Sequence, residues 1–480
     1  MNYSMILYLL GYVLRIEGGF LLLPVITAAI YCEKEGIVYL ICACVLMFLG
    51  TLLTIKKPKN STYFSREGLV TVALSWIAMS VFGAMPIYFS GDVNSYTSAL
   101  FEIVSGFTTT GASNIADLDA LSHTTILWRS LSHWIGGMGV LVFMLAIIPL
   151  TGGQSMFLMR AESPGPVIGK LVPKIRTTAK ILYEIYFVMT VIQFVLLVIS
   201  GMPVFDSINI SMATAGTGGF SISNAGFSSY SVTSQAIVTI FMFLFGVNFN
   251  VYYLYLAKRP KEAIKNEEVF WYFVLALMSI LLITVNIKGE GLYDDWFHAF
   301  HNAAFQVSSI MTTTGFTTCD FNKWPDFSKV ILVCLMFTGG CAGSTCGGIK
   351  ISRIVVMTKS VGKELMQLIH PRSVKVLTLN DVKVEHETIR QINVFIMSYI
   401  LIFTASILLI SFDDFGFTTN FTAIAATINN VGPGLGMVGP SGNFSQFSDM
   451  SKYVMIFDML AGRLELFPLL VLFVPATWKK

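Results

Sequence analysis

Long, predominantly apolar blocks recur along the chain, among them residues 269–287, 394–410 and 454–474. Each approaches the ~20 residues that a helix needs to cross a hydrocarbon core. The N-terminal block lacks a basic leader and a small-residue cleavage site, so residues 1–56 read as two spanning helices rather than a signal peptide. Between the later spans a pattern repeats. Each unit has a basic loop, an apolar span, a half-polar segment of about a dozen residues, a Thr/Gly-rich stretch and a returning span.

The first unit (57–158) has a span at 68–89, a short segment at 96–107, the motif TTTGAS at 108–113 and a second span at 125–150. The second (159–258) runs 181–200, 206–213, AGTGGFS at 215–221, and 234–256. The third (259–365) runs 269–287, 296–310, TTTGFTT at 312–318, and 329–360. The fourth (366–480) runs 392–410, 420–428, NNVGPGLG at 429–436, and 452–477. The short segments cannot cross a bilayer and read as re-entrant half-helices. The irregular backbone after them is tolerated at membrane depth only where protein buries it or it lines a water-filled cavity. The predicted fold is therefore an all-α integral membrane protein. Four span–half-helix–span repeats surround one pseudo-fourfold pore, and two N-terminal spans are added. Gly111, Gly219, Gly315 and Gly432 align the repeats, with Gly216 and Gly218 as competing registers in the second.

Composition agrees, with 54% hydrophobic and only 12% charged residues and a mean hydropathy of +0.70. The net charge of +3 says less than its distribution. Basic residues gather at 56–66, 160–180, 258–265, 350–390 and 479–480, and are absent from 88–128, 202–257 and 411–451. The positive-inside rule puts the basic loops, and both termini, in the cytoplasm. Lys288, Lys323 and Lys329 make the third outer stretch a weaker match. The seven cysteines form neither a disulfide framework nor a zinc pattern, and Cys341 and Cys346 read as small packing residues.

A cation shedding its water needs several oxygens, which rings of backbone carbonyls supply. Glycine permits the required backbone angles, and threonine adds hydroxyl oxygens. The predicted cation ligands are Thr109, Thr110 and Gly111, then Thr217, Gly218 and Gly219. Thr313, Thr314 and Gly315 follow in the third repeat, and Asn430, Val431 and Gly432 in the fourth. Because the repeats differ, the ring has fewer hydroxyls than four identical ones would give, and rubidium or sodium is expected to pass alongside potassium.

The motifs SGFTTTGA (105–112), MTTTGFTT (311–318), NNVGPGLG and TGGCAGSTCGGIK (338–350) carry a resemblance to the Trk/Ktr/HKT superfamily of potassium uptake proteins. The chain is most similar to the Trk H-type membrane subunit, over essentially its whole length. The last motif interrupts a span with Gly339, Gly340, Gly343, Gly347 and Gly348, and Lys350 closes it. Each glycine disfavours helix by up to about 1 kcal/mol relative to alanine. The residues alone allow a loop obstructing the path or a packing kink with Lys350 snorkelling; the resemblance implies an intramembrane gating loop. Arg463, mid-span beside Asp458 and Glu465, is either an internal ion pair or, as the resemblance implies, a charge near the pore that tunes cation exit. His133, His298 and His301 read as structural. Arg129 reads as a snorkelling residue, and Glu102 as a filter brace or a source of negative potential.

No phosphate-binding GxxxxGK[ST] loop and no catalytic constellation occurs, so an enzyme is not expected. The reading is channel-like potassium uptake; a proton- or sodium-coupled symporter is the alternative. No tightly bound cofactor is expected. The resemblance implies a homodimer in a bacterial inner membrane, with a cytoplasmic Trk A-type nucleotide-binding subunit as partner.

Overall fold

In the computed structural model, which describes residues 1–58, 64–139, 175–372 and 376–479, each repeat folds as a long helix, a half-helix and a second helix. The long first spans are Ser65–Ser90, Ile175–Ile199, Glu267–Gly289 and His386–Ile410. The half-helices are Tyr96–Phe107, Val204–Gly216, Trp296–Met311 and Phe417–Ile428. The returning helices are His123–Met138, Val232–Phe245, Asp326–Thr338 and Asp449–Arg463. Serine caps fix three of these returns: Ser122, Ser231 and Ser448 each accept the N–H three residues on, satisfying a donor that the first turn leaves open.

The two N-terminal spans are Tyr3–Tyr31, made of the helices Tyr3–Phe20 and Leu22–Tyr31, and Glu35–Thr54. They meet so closely that a Cβ on Gly50 would lie 2.6 Å from the Gly11 carbonyl oxygen, the small-residue contact that helices in lipid favour. Apolar faces left outside the bundle meet lipid; in the span Ala179–Ile199 only 17% of the most apolar window is buried. The extended strands in the described residues are two, Thr378–Leu379 and Val382–Lys383, paired antiparallel. Asn380 and Asp381 turn between them at φ 52° and 60°, the left-handed pair that a tight hairpin needs.

The second spans are shorter than the hydropathy pattern predicts. The predicted span 234–256 divides into Val232–Phe245 and Phe249–Leu256, bent by 88°. The predicted 452–477 stops at Arg463, where Glu465 and Leu466 turn left-handed at φ 53° and 69°. The predicted 329–360 breaks at its glycines, as expected, into Asp326–Thr338 and Ile351–Ile369. The first return ends at Met138. The rest of the predicted 125–150 span, most of the 160–180 basic loop and the boundary between the first two units lie outside the described residues. The breaks follow tertiary contacts. The carbonyl of Gly246 accepts the N–H of Cys341 at 3.0 Å, and that of Phe245 accepts Thr345 Oγ1 at 3.3 Å.

Candidate functional site

All four half-helices end in one device. The N–H groups of Thr110, Gly218, Thr314 and Val431 reach back five residues to the carbonyls of Ser105, Ala213, Ser309 and Ala426, at 2.8, 2.9, 2.8 and 2.8 Å. The preceding residues, Thr109, Thr217, Thr313 and Asn430, sit left-handed at φ 56°, 54°, 54° and 56°. Glycine or asparagine ordinarily takes that position, and a side chain with a branched Cβ is strained there by roughly 1–2 kcal/mol. Three threonines bear the strain at one equivalent position. This was not legible in the sequence, because threonine carries no signal for left-handed backbone.

The next residues, Gly111, Gly219, Gly315 and Gly432, have φ 77°, 73°, 87° and 100°. This equivalence fixes the register of the second repeat at Gly219. The glycines also touch the neighbouring loop in cyclic order. A Cβ on Gly111 would strike the carbonyl oxygen of Gly218, one on Gly219 that of Thr314, and one on Gly315 that of Val431. One on Gly432 would lie 2.8 Å from the carbonyl oxygen of Thr110, closing the ring. All four glycines line one vestibule of about 460 Å³. Around the ring, Thr108 pairs with Thr110, and Thr312 with Thr314, hydroxyl to hydroxyl at 2.8 Å. Asn430 Nδ2 donates to Thr110 Oγ1 and to the Met459 carbonyl, both at 2.9 Å. Among the described residues, Thr109 Oγ1 and Asn430 Oδ1 are buried with no hydrogen-bond partner, which is uncommon for buried polar atoms.

Behind the ring, Arg129 does not snorkel; it is 1% exposed and paired with the fully buried Glu102. Its Nε and Nη2 lie 2.8 and 2.7 Å from Glu102 Oε1. Its guanidinium carbon sits 4.1 Å over the Phe220 ring, and Nη1 donates to the Ser221 carbonyl at 3.3 Å. Glu102 also accepts from Ser113 Oγ at 3.0 Å and the Asn114 N–H at 3.2 Å. The pair thus clamps the loops after the first two half-helices together. His133 adds a second tie. Its Nε2 accepts the Phe220 N–H at 3.3 Å, so its Nδ1 donates to the Gly106 carbonyl at 2.8 Å, the arrangement of a neutral imidazole. His298 and His301 bond outside the ring, to Asp295 Oδ1 and Gln235 Oε1.

The glycine-rich segment lies against the other side of the ring. The Gly347 N–H donates to Thr313 Oγ1 at 2.8 Å, and a Cβ there would strike the Asn429 carbonyl. Gly339, Gly343 and Gly348 have φ 66°, 72° and 77°, and a Cβ on Gly340 would come 2.7 Å from Cys346 Sγ. The segment is therefore folded tightly on itself. Lys350 is buried, and its ammonium turns back to the Cys346 carbonyl instead of snorkelling. Arg463 donates to the carbonyls of Thr345 and Gly137, at 2.8 and 2.7 Å, and to that of Gly136. The neighbouring carboxylates are engaged elsewhere: Asp458 accepts from Ser406 Oγ at 2.8 Å, and Glu465 pairs with Arg353.

Four half-helices closing their loops into one ring within a helical bundle define a multi-pass membrane pore protein with fourfold pseudosymmetry. The TrkH family, described as cation transport proteins, matches residues 37–480. The chain belongs to this family. It is 36% identical over 488 residues to the Trk system potassium uptake protein TrkH of Salmonella typhimurium, covering 100% of both chains. It is 32% identical over 482 residues to the Trk system potassium uptake protein TrkG of Escherichia coli K12, covering 98% of each. The crystal structure of the potassium transporter TrkH from Vibrio parahaemolyticus superposes with a TM-score of 0.90 at 32% identity, covering 100% of both chains.

Proposed function

We propose that the chain takes up potassium across a bacterial cytoplasmic membrane through the ring, with the basic loops and both termini inside. Oxygens of Thr109, Thr110 and Gly111 and of their counterparts in the other repeats, Thr217 to Gly219, Thr313 to Gly315 and Asn430 to Gly432, replace the water of the ion. One observation carries this reading: the carbonyls of Thr110, Gly218, Thr314 and Val431 each lie against the glycine of another loop, in cyclic order. The names of the relatives supply the ion.

The segment from Thr338 to Lys350 is the gate. Its contacts with Thr313 and Asn429 support an obstructing position beneath the ring. Lys350 and Arg463 add fixed positive charge on that side, which raises the electrostatic cost of a cation leaving the ring. Two copies pair in the membrane, and a cytoplasmic Trk A-type nucleotide-binding subunit acts on the gate. The resemblance supports both partners. The test is flux in liposomes under a set membrane potential, comparing potassium, rubidium and sodium. Saturable potassium flux that Gly315→Ala abolishes is the expected result; equal flux in the variant would refute the filter.

A further inference from the structure

The first span of the third repeat opens on Glu267 and Glu268, at the membrane end where the gate segment joins the helix Ile351–Ile369. Asn266 caps this span, accepting the N–H groups of Glu268 and Val269 at 3.0 and 3.3 Å. Glu268 is thereby fixed in the first helical turn, and only 4% of it is exposed. Burying a carboxylate costs several kcal/mol unless hydrogen bonds replace its water. Glu268 Oε1 accepts two. The Ala342 N–H donates at 2.6 Å and the Ser352 N–H at 3.1 Å.

These donors belong to different structures. Ala342 lies within the glycine-rich segment, and Ser352 is the second residue of the helix that follows it. One oxygen therefore ties the segment to the N-terminus of that helix, where open N–H groups favour a negative charge. Glu267 holds the same junction from the next position along. Its carboxylate pairs with Lys359, whose ammonium also donates to the Thr378 carbonyl at 2.9 Å. The Glu267 N–H donates to Asn380 Oδ1 at 2.8 Å, so the small hairpin joins the assembly. Gate segment, following helix and hairpin all meet at the start of this one span.

We infer that Glu268 is a positioning residue, the latch that keeps the glycine-rich segment seated beneath the ring. The inference rests on the gating reading above. Without the carboxylate, Ala342 and Ser352 lose their shared acceptor, and the segment, still held at Gly246, Phe245 and Thr313, leaves its seat more readily. Both hydrogen bonds use a single oxygen, so a glutamine side chain retains the geometry while an alanine or leucine does not.

The experiment uses the full-length chain in liposomes without a partner subunit, with Cys346 as the sole cysteine. Cys346 is buried against Gly340 in the seated segment, so a water-soluble maleimide reports release independently of flux. In Glu268→Ala, labelling of Cys346 and potassium flux both rise roughly tenfold, the shift expected from losing a hydrogen bond to a charged group. Glu268→Leu gives the same result while filling the vacated volume, which guards against a cavity that prevents folding. Glu268→Gln raises both readouts less than Glu268→Ala does, because its oxygen still accepts although the charge is gone. Unchanged labelling in correctly inserted Ala and Leu variants overturns the latch. Faster labelling with unchanged flux upholds the latch and overturns the gating reading instead.

Discussion

Thr313 Oγ1 accepts the N–H of Gly347 at 2.8 Å, so the strained residue after the third half-helix also touches the glycine-rich segment. The proposed filter and the proposed gate thus share one hydroxyl. Thr313→Ala removes that acceptor while leaving the backbone device intact. A net loss of about 1 kcal/mol shifts a two-state gate roughly fivefold. Potassium flux at fixed voltage should rise by about that factor, and a decrease in a normally inserted variant would contradict the shared seat.

The glycine contacts predict a graded series. Alanine at Gly111, Gly219 or Gly315 drives a Cβ into a neighbouring carbonyl, whereas at Gly432 the contact is 2.8 Å. The first three variants should lose potassium flux completely. Gly432→Ala should retain a measurable fraction, although φ 100° still strains it. Liposome flux normalised to inserted protein gives the order.

Arg129 and Glu102 are both buried, so removing one charge strands the other at a cost of about 3–5 kcal/mol. Arg129→Met should lower the thermal midpoint in detergent sharply. Glu102→Gln combined with Arg129→Met should recover most of that loss, yet leave the loops at Gly111 and Gly219 less well clamped and potassium less favoured over sodium. Thermal melts and a permeability ratio separate the two effects.

Arg463 places its guanidinium on carbonyls of the first and third repeats. Arg463→Gln removes positive charge beside the ring and loosens the glycine-rich segment from the first repeat. Flux should increase severalfold, or its rectification change, in voltage-step recordings. Unchanged currents would remove Arg463 from the pathway.

Outside the spans, Glu33 responds to pH. Burial pushes its carboxyl pKa up, but hydrogen bonds from Thr124 and His123, through side chain and backbone, outweigh it and hold the pKa below the ordinary 4.5. The folded pKa is the lower one. The stabilisation is therefore complete above the unfolded value and fades as pH falls through the folded one. The melting difference between the parent and Glu33→Gln should be present at neutral pH and shrink below pH 4.5.

The repeat architecture was legible because apolar spans and glycine-rich stretches are local signals. The interruption at 338–350 was legible for the same reason. The breaks near Gly246 and after Arg463 were not. The first depends on N–H and hydroxyl donors from Cys341 and Thr345, far along the chain, and hydropathy sees only continuous apolar sequence. Arg129 was misread because its partner lies 27 residues away, across a half-helix and its loop. The second-repeat register became clear only through backbone angles, with Thr217 and Gly219 matching Thr109 and Gly111.

On the proposed function, the four loops form one cation site. The most direct test is anomalous diffraction from crystals grown in rubidium or thallium. An ion on the ring axis, in contact with the carbonyl oxygens of Thr110, Gly218, Thr314 and Val431, is the predicted result. A ring without ion density, with the cation bound elsewhere in the bundle, would contradict it.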